Sequence, residues 1–198
     1  MLILVRHGRT AANREHRFVG RLDPTLDEIG RAQAASVASL LGAVAALRTS
    51  PLRRAVETAG LLGTGLDPVV DPRFIELDFG DLEGTLVTDV DPAVWQRHLT
   101  DAAAVLPNGE SIEMVADRVS GALEELFSSP GEGARREDGD VVIVTHMTPV
   151  KVAVAWALRV DPIASVRMRL ANASVTRIAF GPTGPVLASY NEQASGAR

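Results

Sequence analysis

A histidine that directly follows a buried strand is the feature of this sequence best suited to chemistry. Residues 2–8 read Leu-Ile-Leu-Val-Arg-His-Gly, so four apolar residues precede a cation, an imidazole and a glycine. A parallel strand buried on both faces has such a short apolar run, and open α/β sheets bind ligands beyond the carboxyl ends of their strands. Arg6 and His7 therefore suggest an anion site that contains a nucleophile or a base. A loop that merely carries a histidine would give the same pattern.

A second apolar run ends in the same way. Residues 141–146 read Val-Val-Ile-Val-Thr-His, so two of the four histidines, His7 and His146, occupy equivalent positions. If the two strands are parallel members of one sheet, both imidazoles project from the same edge. Two histidines could also hold a metal ion. However, the chain has no cysteine, neither histidine lies in an HxH or HExxH pattern, and Arg6 would repel a cation. We therefore predict no metal and no other cofactor.

Composition limits the class of protein. The 198 residues are 46% hydrophobic and 23% charged, which is typical of one soluble globular domain. We expect this domain to cover residues 1–193 and residues 194–198 to fray. The lack of cysteine excludes disulfides and fits the cytoplasm. No signal peptide is evident, and no apolar stretch approaches the ~20 residues of a membrane helix. The net charge of −5 disfavours nucleic acid as a partner.

Strands and helices alternate along the chain. Thr25 and Glu28 have the spacing of a capping box, and Ser50-Pro51 fits an N-cap followed by proline at the first helical position. Residues 128–139 are interpreted as an exposed loop, and Gly181–Gly184 as a turn. Helices are predicted at 25–41, 51–62, 89–99, 111–128 and 148–158, and strands at 2–5, 44–49, 68–72, 140–145, 166–170, 173–180 and 186–190. This order predicts a single-domain α/β fold with a mostly parallel central sheet, at least one antiparallel strand, and helices on both faces.

Five segments carry a family resemblance. They are RHGRTAAN at 6–13, SPLRRAVETA at 50–59, ELDFGDLEG at 76–84, PNGES at 107–111 and VTH at 144–146. In this order they resemble the RHGxTxxN, SxLxRAxxTA, ExxFGxxEG, PxGES and second-histidine signatures of the histidine phosphatase superfamily. The branch of this superfamily with these signatures, branch 1, contains cofactor-dependent phosphoglycerate mutases and many small phosphatases. The resemblance implies a phosphoglycerate mutase-like fold and a small-molecule phosphate ester as substrate.

The resemblance also implies roles for individual residues. His7 is the expected nucleophile, which attacks phosphorus to form a phosphohistidine and must be unprotonated to do so. Arg6 and Arg54 are expected to bind the phosphoryl oxygens and to hold the pKa of His7 down. Asn13 and His146 would complete the ring of donors, with His146 protonated when phosphate is bound.

Glu76 is the expected general acid, which protonates the leaving alkoxide and then acts as base on the water that hydrolyses the phosphohistidine. From the residues alone, Asp78, Asp81 and Glu83 in the same acidic stretch compete for this role. Likewise Arg53 competes with Arg54. The register of the family signature selects Glu76 in the first case and Arg54 in the second.

The sequence departs from the family after the second histidine. Many relatives have two glycines there, whereas this chain has Met147-Thr148-Pro149. Met147 adds bulk and Pro149 has no N–H, so Thr148 would have to supply a hydroxyl or an amide to phosphate. The His-x-Thr-Pro-x-Lys pattern is similar to that of some actinobacterial phosphatases fused to ribonuclease H, which resemble α-ribazole phosphatase.

Three functions remain open at this point. A phosphatase is favoured because a short segment, 85–106, would leave water access to the phosphoenzyme. The alternatives are a phosphoglycerate mutase and a catalytically inactive phosphate-binding module of the same fold. The oligomeric state stays open, with a homodimer as one option. The residues expected to line the mouth of the pocket and bind substrate are Phe18, Gly20, Arg21, Met147 and Thr148.

Overall fold

A six-stranded mixed sheet lies at the centre of the computed structural model, which describes residues 1–128 and 139–195. The strands lie in the order β3-β2-β4-β1-β5-β6. The first four in that order are parallel, whereas β5 is antiparallel to β1 and β6 is antiparallel to β5. The predicted α/β fold is thus confirmed. The strands are β1 (Leu2–Arg6), β2 (Val44–Thr49), β3 (Val69–Val70), β4 (Asp140–Thr145), β5 (Val175–Gly181) and β6 (Gly184–Glu192).

The helices cover both faces of the sheet. Leu2 and Leu4 of β1 pack in one buried cluster with α5 and α6, while Ile3 and Val5 pack in a second cluster with α3. This division follows from the pleat, which sends successive side chains to opposite faces. No helix among the described residues is long and apolar enough to cross a membrane. The helices are α1 (Ala11–Arg14), α2 (Glu28–Ser36), α3 (Arg53–Gly60), α4 (Pro92–Thr100), α5 (Ile112–Ser128) and α6 (Met147–Leu158).

Two predicted helix starts are wrong. The N-cap of α2 is Asp27, whose side chain accepts from the Gly30 amide at 2.7 Å, so Thr25 does not form the predicted capping box. Thr10 forms a capping box instead, with Asn13. The third helix begins at Arg53 rather than at Pro51, because the backbone at Leu52 is still extended, with φ −74° and ψ 137°.

In the C-terminal third, one predicted strand is wrong, and two other predicted segments lie partly outside the described residues. The strand predicted at 166–170 is wrong, because Asp161 caps a 3-10 helix at Pro162–Arg167 that continues into irregular backbone. Most of the loop predicted at 128–139 lies outside the described residues. Ala194, at the start of the predicted frayed tail, is buried, and residues 196–198 also lie outside the described part of the chain.

A glycine–glycine contact fixes the segment that follows β1. A Cβ added to Gly30 would lie 1.9 Å from the Arg9 carbonyl oxygen, and one added to Gly8 would lie 2.2 Å from the Gly30 carbonyl oxygen. The Arg9 side chain also pairs with Asp27 at 2.8 Å. The first turn of α2 therefore rests directly on the backbone next to His7.

This contact predicts that Gly30→Ala destabilises the protein by about 2 kcal/mol, because the backbones must separate to admit a methyl group. Helix propensity alone predicts the opposite sign, a gain of about 1 kcal/mol. Gly121→Ala is the matched control, since Gly121 lies within α5 and its added Cβ meets nothing within 4 Å. Urea unfolding of the two variants measures both effects, and a Gly30→Ala protein as stable as wild type would contradict the contact.

Candidate active site

The two histidines lie together at one edge of the sheet. Arg6 of β1 is in register with Thr145 of β4, so the next residue of each strand, His7 and His146, leaves the sheet at the same level. Their ring centroids are 5.0 Å apart. Both residues are buried, with His7 3% exposed and His146 fully enclosed. The parallel pairing of β1 and β4 therefore creates the juxtaposition that the two apolar runs suggested.

The hydrogen bond of the His7 ring determines which nitrogen can react. Nδ1 of His7 lies 2.7 Å from the carbonyl oxygen of Gly8. A carbonyl can only accept, so Nδ1 carries the proton in the neutral ring and Nε2 keeps its lone pair. The His7 amide also donates to Thr145 at 2.9 Å, which fixes the backbone below the ring. Nε2 is thus the nucleophilic atom of this residue.

Burial and cations keep the imidazoles neutral. The pKa of His7 is held well below its usual value, first by burial and then by the charges of Arg54 and Arg6. The pKa of His146 is lowered in the same way, by burial, Arg54 and His7. The arginines therefore act on His7 as expected, although burial is the larger cause. A neutral His7 is the form that can attack an electrophile.

His146 is oriented by a third parallel strand. Its Nε2 lies 2.6 Å from Oγ of Ser50, which follows β2 directly. Oγ of Ser50 also accepts from the Leu52 amide at 3.4 Å, just before α3 begins. Nδ1 of His146 is buried and has no partner within the described part of the chain. If Ser50 donates its hydroxyl proton to Nε2, Nδ1 carries a proton that is free for a ligand.

Arg6 and Arg54 bring two buried positive charges to the site. Arg6 donates from Nη1 to the Leu170 carbonyl at 2.6 Å, and burial lowers its pKa to about 10. Arg54 is fully buried and donates to the carbonyls of Leu22 at 2.7 Å and Gly20 at 2.8 Å. The Nε atoms of both arginines have no partner among the described residues. Each guanidinium is thus anchored at one end and retains an unused donor.

Glu76 is attached to the start of α6. Its carboxylate accepts from the amide of Met147 at 3.0 Å, from that of Thr148 at 3.1 Å and from that of Leu77 at 2.8 Å. The first amides of a helix lack intrahelical partners and favour an anion. The Thr148 amide, which the sequence assigned to phosphate, is therefore used by Glu76 in this structure.

The competing residues are engaged elsewhere. Asp81 accepts from the Asn108 side chain, and Glu83 accepts from three consecutive amides of the loop at 20–22. Asp78 lies 3.7 Å from Arg21. Arg53 is exposed, in contrast to its buried neighbour in α3. Of the acidic stretch 76–84, Glu76 is the acid that borders the cavity above His7.

A cavity of about 410 Å³, here called the main cavity, lies beside His7 and Glu76. Of the residues predicted for the site, those that line it are Arg6, His7, Asn13, Phe18, Glu76 and Met147. The other predicted site residues, Gly20, Arg21, Arg54, His146 and Thr148, do not line it. Arg21 pairs with Glu110 at 3.1 Å, and Gly20 packs against the Leu77 carbonyl, where an added Cβ would lie at 2.1 Å. Substrate contacts by Gly20 and Arg21 thus remain predictions, because neither residue lines the main cavity.

Sequence reasoning missed several residues at the site. Asn172 donates to the His7 carbonyl and to Oδ1 of Asn13, both at 3.3 Å. It precedes β5, and only the antiparallel pairing of β5 with β1 brings it near His7. His16 is exposed but also lines the main cavity. Away from this cavity, His98 of α4 is buried and stacks on Trp95 with centroids 5.3 Å apart.

Residues 1–128 and 139–195 contain no group of three or more His, Asp or Glu side chains placed to hold a metal ion. The predicted lack of a cofactor remains a prediction.

Comparisons with known proteins agree with this geometry. A bifunctional protein of Mycobacterium tuberculosis is 34% identical over 191 residues, covering 92% of this chain and 51% of that protein. The chain thus spans about half the length of the first curated relatives it matches. A probable phosphoglycerate mutase of Cronobacter sakazakii is 34% identical over 194 residues, covering 94% and 87%.

The solved structure of mycobacterial glucosyl-3-phosphoglycerate phosphatase in complex with VO3 has a TM-score of 0.87 to this chain. The two are 33% identical, and the match covers 97% of this chain and 98% of that one. The sequence pattern of branch 1 of the histidine phosphatase superfamily matches residues 2–193. The resemblance carried by the five segments is therefore confirmed, and the chain belongs to the histidine phosphatase superfamily, branch 1.

Proposed function

We propose that this protein hydrolyses small-molecule phosphomonoesters through a phosphohistidine on His7. The observation that carries the proposal is the fixed tautomer of His7, which leaves Nε2 unprotonated on a residue that lines the main cavity together with Arg6. Phosphoryl transfer depends mainly on positioning and on fixed positive charge, because the transferred group carries its charge on three equatorial oxygens. Arg6 and Arg54 supply that charge.

Unused buried donors support the binding of an oxyanion. Arg6 Nε, Arg54 Nε and His146 Nδ1 are buried without partners among the described residues. Such groups are rare in folded proteins, because each one costs free energy that a ligand could recover. A phosphoryl group offers enough acceptors for all three, and the Asn13 side chain borders the same cavity. With Ser50 as donor to Nε2, His146 can serve in its neutral form.

Glu76 completes the proposed reaction. As the His7 Nε2–P bond forms and the P–O bond breaks, protonated Glu76 gives its proton to the leaving alkoxide. The resulting carboxylate then takes a proton from water while that water's oxygen attacks phosphorus, and the P–N bond breaks to release phosphate. The amides of Met147 and Thr148 hold the carboxyl group in one orientation throughout.

A mutase is the second candidate, because one relative is a probable phosphoglycerate mutase. A mutase must shield its phosphoenzyme from water until the phosphoryl group returns. Here the segment that could act as a cover contains only a 3-10 turn at Val87–Asp89 and the nine-residue α4. Exposed His16 and Arg17 also border the main cavity. We therefore favour hydrolysis, with the substrate to be identified by a screen of metabolite phosphates that includes 3-phosphoglycerate and α-ribazole phosphate.

We expect the wild-type protein to release phosphate from an aryl phosphate after treatment with a chelator, and His7→Ala to abolish both turnover and the acid-labile phosphoenzyme. Loss of the imidazole removes the only atom that forms the covalent bond. His16→Ala is the control, because it removes an exposed imidazole at the rim of the same cavity. Labelling with ³²P-substrate measures the intermediate. Acid-labile labelling that persists in His7→Ala would place the nucleophile elsewhere.

Glu76→Gln should slow alkyl phosphates more than aryl phosphates. An alkoxide needs a proton to leave, whereas a phenolate leaves with little help, so we expect a loss of about 10²–10⁴-fold in kcat/KM for the alkyl substrate and little loss in kcat/KM for the aryl substrate. The value of kcat includes hydrolysis of the phosphohistidine and should fall for both substrates. Asp81→Asn is the matched control, because Asp81 lies in the same acidic stretch but outside the main cavity. Equal losses in kcat/KM on both substrates in Glu76→Gln would assign the acid to another residue.

The free energy of unfolding should decrease as the pH decreases, because His7 is kept neutral in the folded protein. Its pKa in the folded state is lowered, so only the unfolded chain takes up a proton as the pH falls through about 6.5. One such histidine costs up to about 1.4 kcal/mol of unfolding free energy per pH unit below that value. His7→Gln should therefore lose less stability than wild type between pH 7.5 and 5.5 in urea unfolding. Parallel curves for His7→Gln and wild type would contradict a neutral His7.

A further inference from the structure

The short segment at residues 170–174, which precedes β5, holds the end of β1 in place. The carbonyl of Leu170 accepts from Nη1 of Arg6 at 2.6 Å. The amide of Ala173 donates to the carbonyl of His7 at 3.1 Å. The 170–174 segment therefore fixes both residues that carry the proposed chemistry at the end of this strand.

Asn172, in the middle of this segment, directs its side chain at the same site. Its Nδ2 lies 3.3 Å from the carbonyl oxygen of His7 and 3.3 Å from the side-chain oxygen of Asn13. A carbonyl oxygen only accepts, so the Asn172 atom that bridges the two is the amide nitrogen, and both of its protons are used. Asn172 thus links the backbone of His7 to the side chain of Asn13.

The orientation of the Asn13 amide follows from its two neighbours. The backbone N–H of Thr10 donates to the Asn13 side chain at 3.1 Å, which identifies that atom as Oδ1. Asn172 donates to the same oxygen. Among the described residues the Nδ2 group of Asn13 has no partner, and Asn13 lines the main cavity. Two donors on the oxygen therefore leave the NH2 group as the unengaged end of this amide.

We propose that Asn172 is a positioning residue, which holds the amide of Asn13 in the orientation that donates to a phosphoryl oxygen. This inference rests on the proposed phosphatase function. Without Asn172, only the Thr10 amide would hold the Asn13 oxygen, and a rotated amide would present an acceptor to an anion. Phosphoryl transfer depends on fixed donors, so the loss of one contact outside the phosphate shell should slow the reaction.

A double-mutant cycle between Asn172→Ala and Asn13→Ala tests the inference. Asn13→Ala should lower kcat/KM for an aryl phosphate about 10²-fold, as for a lost oxyanion donor. Asn172→Ala should lower kcat/KM about tenfold. The double variant should lose little more than Asn13→Ala alone, because Asn172 acts through the Asn13 amide. A multiplied loss of about 10³-fold would overturn the assignment, and so would full activity in Asn172→Ala.

Two further variants separate positioning from general support of the fold. Oδ1 of Asn191 accepts from the Ala171 amide of the same segment at 2.8 Å, and its φ of 59° suits glycine. Any loss in Asn191→Gly should therefore multiply with that of Asn13→Ala. Asn172→Asp keeps the size of the side chain, but a carboxylate cannot donate, so this variant should lose at least as much activity as Asn172→Ala. Urea unfolding of each variant measures its stability. Wild-type activity in Asn172→Asp would contradict the positioning role.

Binding of inorganic phosphate separates this inference from the proposed function. Isothermal titration calorimetry should show a higher Kd for phosphate in Asn172→Ala than in wild type, and nearly equal Kd values in Asn13→Ala and the double variant. If wild type hydrolyses no ester but the binding cycle is non-additive, the phosphatase proposal fails and the positioning role stands. If wild type is an active phosphatase and both cycles are additive, the proposed function stands and the positioning role is refuted.

Discussion

The parallel pairing of β1 with β4 is the constraint on which the rest of the site depends. It matches Arg6 with Thr145, and the His7 amide continues the ladder by donating to the Thr145 carbonyl at 2.9 Å. A slip of one residue would turn every side chain of a strand to the opposite face. Both faces of β1 and β4 are buried by separate apolar clusters. Such a slip would therefore still leave apolar side chains buried on both faces, but it would separate the two imidazoles. The terminal contacts of the ladder, rather than the apolar residues, therefore fix the register that the chemistry needs.

Uncompensated positive charge is the second consequence of this arrangement. Arg6 and Arg54 are anchored through carbonyl oxygens rather than through carboxylates, so their charge is held in place but not neutralised. Glu76 lies close enough to raise the pKa of both arginines, but burial outweighs it and lowers them. Burying cations without full compensation costs stability. A site built in this way gains most from a dianionic ligand, although the whole chain carries a net charge of −5.

The sequence predicts those features that depend on local patterns. The apolar runs before His7 and His146 identify two buried strands, and the five ordered segments identify the family. Two helix starts were wrong: the backbone is still extended at Leu52 before α3, and Asp27 rather than Thr25 caps the helix that contacts Arg9. Asn172 could not be found, because its place beside His7 depends on the antiparallel pairing of β5. Local propensity does not encode such contacts.

The first turn of α6 links the chemistry to the choice of substrate. Where many relatives have two glycines, the amides of Met147 and Thr148 hold the carboxylate of Glu76. Pro149 costs nothing here, because an amide in the first turn of a helix has no intrahelical partner to lose. The Met147 side chain lines the main cavity. Because one helical turn both orients the acid and lines this cavity, a change at Met147 should alter selectivity and proton transfer together.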